Sequence, residues 1–344
     1  MSALSRFEVK DGYLRAPIRI NYRVTNECNQ FCKHCWPDSG SKKFQELDTA
    51  QAITALDRIV DFGALMFTIN GGEPMLRPDI DKILEHLSKK NVWFEMTSSG
   101  WGITKEWATF FSKIHIKRIS ISLEGSNKDL HRVLRPLEDS FETALGALEL
   151  LGEYDITTGV CTTVTALNYK HIPVMCNFLK ARNIKSWSLT VLLALGRGKN
   201  LNNLILSKEQ LLEFFEIVNK CKSEYPEMEI QLHDPLYSKY VGESYGSNQF
   251  PTCQAGRAEL SILPNGDLIP CRYMSSMVFG NIITDDIAEL WCNSPVLKTL
   301  RDIKLDNTCK ECESYSQCLG GCRARAINQG LPVDSPDPQC LELL

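Results

Sequence analysis

Hydrophobic and polar positions along the chain follow two alternating periods. Short apolar runs rich in β-branched residues predict strands at 18–25, 65–70, 92–99, 116–124, 156–166 and 184–193. Apolar residues at helical spacing predict helices between them, at 48–63, 79–90, 104–113, 140–154 and 169–182. Uninterrupted apolar strands are typical of parallel sheets covered by helices. Six strand–helix repeats therefore predict an α/β fold, an open or partial TIM-like barrel.

Unusual loops follow the first four predicted strands. They are Cys28–Cys35, Gly71-Gly72-Glu73-Pro74, Thr97-Ser98-Ser99-Gly100 and Ser122-Leu123-Glu124-Gly125. In barrels of this type, catalytic residues gather where the carboxyl ends of parallel strands meet. The four loops therefore predict an active site at one rim of the barrel.

Composition excludes several classes of protein. The chain has 344 residues, of which 43% are hydrophobic, and a formal net charge of −4 with scattered Lys and Arg. This distribution predicts no nucleic-acid partner. We find no signal-peptide pattern and no apolar run near the ~20 residues that span a bilayer, so we expect a cytoplasmic protein without a membrane partner. In a reducing compartment, the clusters among its 14 cysteines indicate metal binding rather than disulfides.

Three cysteines follow the first predicted strand, at Cys28-x3-Cys32-x2-Cys35. A structural zinc site normally has four protein ligands, and a c-type haem site would need His where this chain has Trp36. An iron–sulfur cube held by three thiolates leaves one iron open to an outside ligand. On the triplet alone, zinc remains an alternative.

The triplet together with the Gly-Gly-Glu-Pro loop resembles the radical S-adenosylmethionine (radical SAM) superfamily, over roughly residues 18–195. The resemblance implies that Cys28, Cys32 and Cys35 hold a 4Fe-4S cluster whose fourth iron binds S-adenosylmethionine (SAM). It also implies reductive cleavage of SAM to a 5′-deoxyadenosyl radical, which abstracts a hydrogen atom from an unactivated C–H bond. A flavodoxin or ferredoxin would supply the electron.

The same resemblance implies the residues that contact SAM. Glu73 would receive its ammonium group and Arg135 its carboxylate, and the pair Ser122 and Glu124 would contact its ribose, although Asp is more usual than Glu at position 124. Gly71, Gly72, Pro74 and Ser99 complete the predicted set. A surface arginine is the alternative interpretation of Arg135.

The last quarter of the chain carries a second cysteine pattern, similar to that of the SPASM domain. Its residues are Cys253, Gly266, Cys271, Cys309, Cys312, Cys318, Cys322 and Cys340. The resemblance implies two auxiliary iron–sulfur clusters, of the 4Fe-4S type. One would be held by Cys309, Cys312, Cys318 and Cys340, and the other by Cys253, Cys271 and Cys322. The second would have an open iron or borrow a ligand such as His233 or Asp234.

The predicted domain order follows from these patterns. A lead-in at 1–17 precedes the partial (β/α)6 TIM-like barrel at 18–205, a bridging helix and linker at 206–250, and a small cysteine-rich SPASM domain with β-hairpins and short helices at 251–344. Of the remaining cysteines, we expect Cys176 and Cys221 to be buried and Cys292 to pack beside Trp291. Cys161 should point into the barrel, as a core residue or as a hydrogen-atom donor.

The family resemblance favours an enzyme that crosslinks, oxidises or epimerises a ribosomally made peptide. Arg272 stands where sulfatase-maturing relatives carry a catalytic Asp, which argues against that activity. The short segment before the first strand leaves leader recognition to a separate protein or to the barrel. Small metabolites such as tetrapyrroles or sugars remain alternative substrates, favoured by the compact chain and the GRGK stretch at 196–199. A non-enzymatic iron–sulfur electron carrier or scaffold is the second alternative.

Overall fold

A ten-stranded sheet organises the molecule. The computed structural model describes residues 9–10, 12–41, 45–241, 253–305 and 307–340. The strands of the sheet are β3 (Arg19–Arg23), β4 (Met66–Asn70), β5 (Trp93–Ser98), β6 (Arg118–Ser122), β7 (Thr158–Val164), β8 (Ser186–Val191), β9 (Glu229–Leu232), β10 (Glu259–Ile262), β11 (Asp267–Ile269) and β12 (Gly280–Asn281). A separate hairpin, β1 (Val9–Lys10) and β2 (Tyr13–Leu14), precedes it.

Helices follow most of the parallel strands. They are α1 (Thr49–Phe62), α2 (Ile80–Ser88), α3 (Lys105–Lys113), α4 (Lys128–Leu134), α5 (Ser140–Glu153), α6 (Ile172–Lys180), α7 (Lys208–Glu224) and α8 (Pro235–Val241), with α9 (Ile287–Asn293), α10 (Pro295–Arg301), α11 (Asn307–Lys310), α12 (Tyr315–Cys318) and α13 (Arg323–Asn328) in the last quarter. None of the described helices has the length and apolarity to cross a bilayer.

The six predicted strands form β3 to β8, each parallel to its neighbour, so the α/β partial barrel is confirmed. A seventh parallel strand, β9, extends the sheet beyond β8. β9 lies within the segment at 206–250 that was predicted as a bridging helix and linker. Only four residues long and exposed at alternate positions, β9 lacks the apolar run that marks the other strands.

The sheet also continues from the barrel into the cysteine-rich segment. β10 lies parallel to β3, with Leu260 opposite Ile20, and forms antiparallel pairs with β11, which in turn pairs with β12. The tight turn between β10 and β11 confirms the predicted hairpin, and Gly266 adopts φ +87° there. β3 therefore stands between the barrel and the C-terminal segment.

Alternate residues of the barrel strands face opposite environments. Ile20, Phe67, Met96 and Ile121 are completely or almost completely buried in the hydrophobic core. The residues between them are largely polar and bond to each other across the interior: Thr68 Oγ1 donates to Glu95 at 3.1 Å, and Arg118 Nη2 pairs with Glu95 at 2.6 Å. The barrel interior is thus polar, unlike the packed layers of a complete TIM barrel.

Buried arginine contacts join the two ends of the chain. Arg301 donates to the carbonyl oxygens of Gly256, at 2.8 Å, and Trp291, at 2.6 Å, and its guanidinium lies 3.6 Å from the ring centre of Tyr13. Trp291 in turn donates to the carbonyl of Leu14 at 2.8 Å. The N-terminal hairpin is therefore fixed against α9 and α10.

We expect Arg301→Met to lower the melting temperature, because it leaves two buried carbonyl groups without donors, at about 1–3 kcal/mol each. Thermal unfolding of the anaerobic protein measures the effect. Lys298→Met, at an exposed position of the same helix, is the matched control and should shift the melting temperature little. Equal shifts for both variants would contradict this account.

Candidate active site

A cavity of about 200 Å³ opens at the carboxyl ends of the parallel strands. It is lined by residues from all four predicted loops, among them Cys28, Gly72, Ser99 and Glu124. Side chains from β7, β8 and the C-terminal segment complete its wall. The structure therefore brings the four loops together around one space.

Each sulfur of the N-terminal triplet accepts a hydrogen bond. The peptide nitrogen of Gln30 donates to Cys28 at 3.5 Å, that of Ser39 to Cys35 at 3.4 Å, and Arg135 Nη1 to Cys32 at 3.4 Å. Such N–H bonds stabilise sulfur ligands that carry negative charge. Burial raises the pKa of Cys28 to about 11 and also raises that of Cys32. Burial therefore disfavours the thiolate form, which is the form that binds metal. A bound metal cluster would offset this cost, and the three N–H donors suit sulfurs that ligate one.

The GRGK stretch clamps the loop that carries the triplet. Arg197 donates through Nε to the carbonyl of Cys32 at 2.8 Å and through Nη1 to Asp38 at 2.9 Å. Its peptide nitrogen donates to the carbonyl of Cys35 at 3.0 Å. Gly196 has φ +51°, and a side chain there would collide with the same carbonyl. The stretch thus positions the cysteines, a role that its sequence did not indicate.

Close backbone approach explains the glycines of the Gly-Gly-Glu-Pro loop. Gly72 N donates to Thr25 O and Glu73 N to Glu27 O, both at 2.8 Å. A Cβ atom on Gly72 would overlap the carbonyl group of Glu27. Both glycines line the cavity, whereas Pro74 begins a short 3₁₀ turn and is buried.

The carboxylate of Glu73 is almost completely buried and bonds to its own protein. Ser98 Oγ donates to Oε1 at 2.8 Å, and Ser99 donates to Oε2 through its peptide nitrogen at 2.8 Å and its Oγ at 2.5 Å. Met75 N adds a fourth bond to Oε1 at 3.2 Å. Burial raises the pKa of Glu73 while these four donors lower it. Glu73 therefore joins the second and third loops. A contact with the ammonium group of SAM, as predicted, would be a fifth interaction of this carboxylate.

Glu124 and Arg135 form a buried ion pair beside the triplet. Arg135 Nε lies 2.9 Å from Glu124 Oε1, and His34 Nε2 lies 3.3 Å from the same oxygen. Thr163 N donates to Glu124 Oε2 at 2.6 Å. Burial raises the pKa of Glu124, but His34 and Arg135 outweigh it and bring the pKa to about 2. Both residues line the cavity with Ser122, and Arg135 is buried rather than a surface residue.

Within each predicted C-terminal group, several of the cysteines lie near one another. Cys253, Cys271 and Cys322 pack around the small apolar cluster that contains Met274 and Ala324. In the other group, burial and the nearby Cys340 and Cys309 raise the pKa of Cys318 to about 12, and Lys239 Nζ lies 3.5 Å from the sulfur of Cys340. Both sets consist of thiol donors of the type that iron–sulfur clusters require.

The two residues proposed as borrowed ligands lie in different surroundings. Asp234 is buried and pairs with Arg325, which also binds Asp337 at 2.7 Å. His233, the residue after β9, bonds through Nε2 to Ser188 Oγ on the neighbouring β8 at 2.9 Å. Asp234 is thus already engaged in an ion pair near Cys322.

The other cysteines are partly as expected. Cys176 and Cys221 are buried, as predicted, whereas Cys292 is exposed instead of packing beside the buried Trp291. Cys161 lines the cavity, and burial raises its pKa to about 11, so its sulfur carries a proton at neutral pH.

Two residues of the C-terminal segment that were not predicted as site residues, Arg272 and Tyr273, line the cavity. The ring of Tyr273 meets the ring of Trp36 edge-on, at 5.4 Å between centres. Trp36 directly follows the cysteine triplet. This contact joins the C-terminal segment to the first loop. In the sequence, only the position of Arg272 beside Cys271 could have indicated that the two residues belong to the site.

Two family models match the chain. Residues 22–179 match the radical SAM superfamily, and residues 253–313 match SPASM, an iron–sulfur cluster-binding domain. The two matched ranges contain the N-terminal triplet and the first four of the seven C-terminal cysteines. These matches assign SAM and iron–sulfur clusters to the chain.

Curated relatives align over nearly its full length. Mycofactocin maturase MftC of Mycobacterium tuberculosis is 28% identical over 96% of this chain and 84% of its own. The AdoMet-dependent heme synthase of Nitratidesulfovibrio vulgaris is 26% identical over 93% of this chain and 91% of its own.

Solved structures share the fold. SuiB of Streptococcus suis bound to S-adenosylmethionine has a TM-score of 0.82, with 19% identity, and covers 96% of this chain and 78% of its own. The structure of anSMEcpe with bound AdoMet has a TM-score of 0.75, with 20% identity over 95% of this chain and 91% of its own.

We expect Gly72→Ala to weaken SAM binding by about tenfold or more, because the added methyl group overlaps the Glu27 carbonyl and must displace the loop. Equilibrium binding of SAM to the anaerobically reconstituted protein measures the effect. Gly40→Ala is the matched control, since a Cβ atom there meets Phe31 at an ordinary 3.6 Å. Unchanged SAM affinity in the Gly72 variant would refute the close approach as a constraint.

Proposed function

Since the chain belongs to the radical SAM superfamily and carries a C-terminal SPASM domain, we propose that it modifies a ribosomally made peptide by hydrogen-atom abstraction. The observation that carries the proposal is the similarity to mycofactocin maturase over 96% of the chain. The modification would be a crosslink, an oxidation or an epimerisation at an unactivated C–H bond.

Cys28, Cys32 and Cys35 would hold one 4Fe-4S cluster, and three N–H donors are already directed at their sulfurs. When bound, this cluster with SAM supplies a 5′-deoxyadenosyl radical after one-electron reduction. Three protein thiolates leave one iron for SAM. A flavodoxin or ferredoxin would deliver the electron.

The protein's own residues would hold SAM in place. Gly71 and Gly72 expose their backbone to the cavity, and the hydrogen bond from Ser99 to Glu73 fixes the loop that carries them. Pro74 stiffens the turn. Arg135 keeps two of its nitrogens on Cys32 and Glu124, so any SAM carboxylate would meet the rest of the guanidinium. Ser122 and Glu124 remain the proposed ribose contacts.

The C-terminal segment would hold two further 4Fe-4S clusters. Cys309, Cys312, Cys318 and Cys340 would ligate one completely, and Cys253, Cys271 and Cys322 would ligate the other. Because Asp234 is paired with Arg325, we favour an open iron over an aspartate ligand in the second cluster. We propose 251–344 as the domain that contains both, after a barrel domain at 18–205 and a bridging segment at 206–250.

A tetrapyrrole is the second candidate substrate, favoured by the similarity to the AdoMet-dependent heme synthase. The peptide stays the first candidate because the similarity to mycofactocin maturase is slightly higher, at 28% identity against 26%.

The decisive experiment is anaerobic reconstitution followed by incubation with SAM and dithionite. We expect 5′-deoxyadenosine, and its formation should disappear in the Cys32→Ala variant, whereas Cys292→Ala, at an exposed position, should retain it. Absence of 5′-deoxyadenosine from the wild type would leave only the electron-carrier or scaffold interpretation.

The substrate class needs a second assay with precursor peptides encoded beside the gene and with an iron porphyrin, a tetrapyrrole, as the competing substrate. We expect a mass change in a peptide and none in the porphyrin. Conversion of the porphyrin alone would overturn the peptide proposal and leave the radical chemistry intact.

A further inference from the structure

Three arginines line the cavity, and one of them forms no ion pair with any residue that the structure describes. Arg135 pairs with Glu124 at 2.9 Å, and Arg197 pairs with Asp38 at 2.9 Å. Within the described residues, Arg272 makes no hydrogen bond or ion pair; its contact is with the ring of Tyr273, 5.6 Å from the guanidinium carbon to the ring centre. Its five N–H donors therefore face a space that the protein does not fill.

Two acidic residues of the barrel bond to other groups. Glu95 accepts from Thr68 and pairs with Arg118 at 2.6 Å. Glu259 accepts from the side-chain amide of Asn21 at 3.0 Å and attracts Arg272 electrostatically without forming a hydrogen bond to it. The N–H groups of Arg272 therefore have no bonded carboxylate and can bind that of an outside anion.

Arg272 is also held in place. It follows Cys271 directly, and Tyr273, on its other side, rests edge-on against Trp36. These neighbours fix the backbone of Arg272 between a proposed cluster ligand and the loop of the cysteine triplet. A planar, pre-oriented guanidinium is the side chain best suited to a two-point bond with a carboxylate.

We propose that Arg272 binds a carboxylate of the substrate inside the barrel, and so selects peptides that present one. The inference rests on the proposed function and adds the chemical class that the cavity receives. The carboxylate comes from a peptide C-terminus or from an Asp or Glu side chain. In either case it brings the neighbouring C–H bonds to the rim of the barrel where the cysteine triplet lies.

Affinity selection with defined peptide pools tests this. The SAM-loaded holoenzyme is incubated with equimolar N-acetylated pentapeptide pools, and the retained peptides are counted by mass spectrometry. Two pools lack Asp and Glu, one with a free C-terminal carboxylate and one with a C-terminal amide. A third pool is amidated and contains Asp and Glu. We expect the wild type to enrich at least one carboxylate pool about tenfold over the neutral pool.

The pools separate the two sources of the carboxylate. Enrichment of the free-acid pool identifies a C-terminus, and enrichment of the third pool identifies a side chain. Arg272→Gln should abolish the enrichment, and Arg272→Lys should keep part of it, since the charge remains but the two-point geometry is lost. Arg182→Gln, at an exposed position outside the barrel, is the matched control and should retain the enrichment.

Two other results would overturn the inference. Equal retention of all three pools removes Arg272 as a carboxylate site while the peptide function stands. Wild-type enrichment that survives in Arg272→Gln assigns the preference to another residue. SAM binding by the Arg272→Gln variant, measured in parallel, shows that its cavity remains intact.

If no pool is retained, Arg272 does not select short peptides, the precursor-peptide assay alone decides the peptide function, and the anion site is tested separately. Phenylglyoxal modifies accessible arginines, and peptide mapping reports its reaction with Arg272. Protection by succinate but not by succinamide would preserve the carboxylate site for a non-peptide substrate. Equal reaction in both would overturn it.

Discussion

The arrangement of the whole site depends on β3, whose backbone is shared by two parallel neighbours. On one side it pairs with β4, which leads into the Gly-Gly-Glu-Pro loop, and on the other with β10, which leads toward Cys271. The loop with the cysteine triplet leaves the carboxyl end of β3 itself. Hydrogen bonding along one strand thus sets three segments with cavity-lining residues side by side before any side chain contributes.

The polar side chains around the cavity have two roles: some bond one loop to another, and others remain available to a ligand. Glu73 and Arg197 tie loops to each other, and both have their bonding capacity largely used by the protein. The N–H groups of Arg272 remain available to hydrogen-bond a ligand. The Glu124–Arg135 pair belongs to both groups, because it bonds to Cys32 and also faces the cavity. A radical reaction requires that the substrate be held in one orientation, which a rigid cavity wall with a few free hydrogen-bond donors can provide.

Much of this could be predicted from local sequence. Period and β-branched composition located β3 to β8, and the three-thiol spacing with Gly-Gly-Glu-Pro indicated the chemistry of the rim. β9 was missed because its four residues alternate between polar and apolar and form no uninterrupted apolar run like those of the other strands. The four bonds of Glu73 and the clamp by Arg197 join residues far apart in sequence, and no spacing rule reports such pairs. Arg272 was noticed only as a mismatch to relatives, since its lack of a partner is a property of the folded cavity.

The clamp by Arg197 has a consequence for how the protein is made. The loop of Cys28–Cys35 receives bonds from a residue more than one hundred and fifty positions later in the chain. During synthesis the three thiols therefore emerge long before the segment that fixes their loop. Until the last barrel loop has left the ribosome, the loop of the three cysteines lacks the bonds from Arg197. A cluster proposed for these cysteines would find its loop fully fixed only after the barrel has been translated.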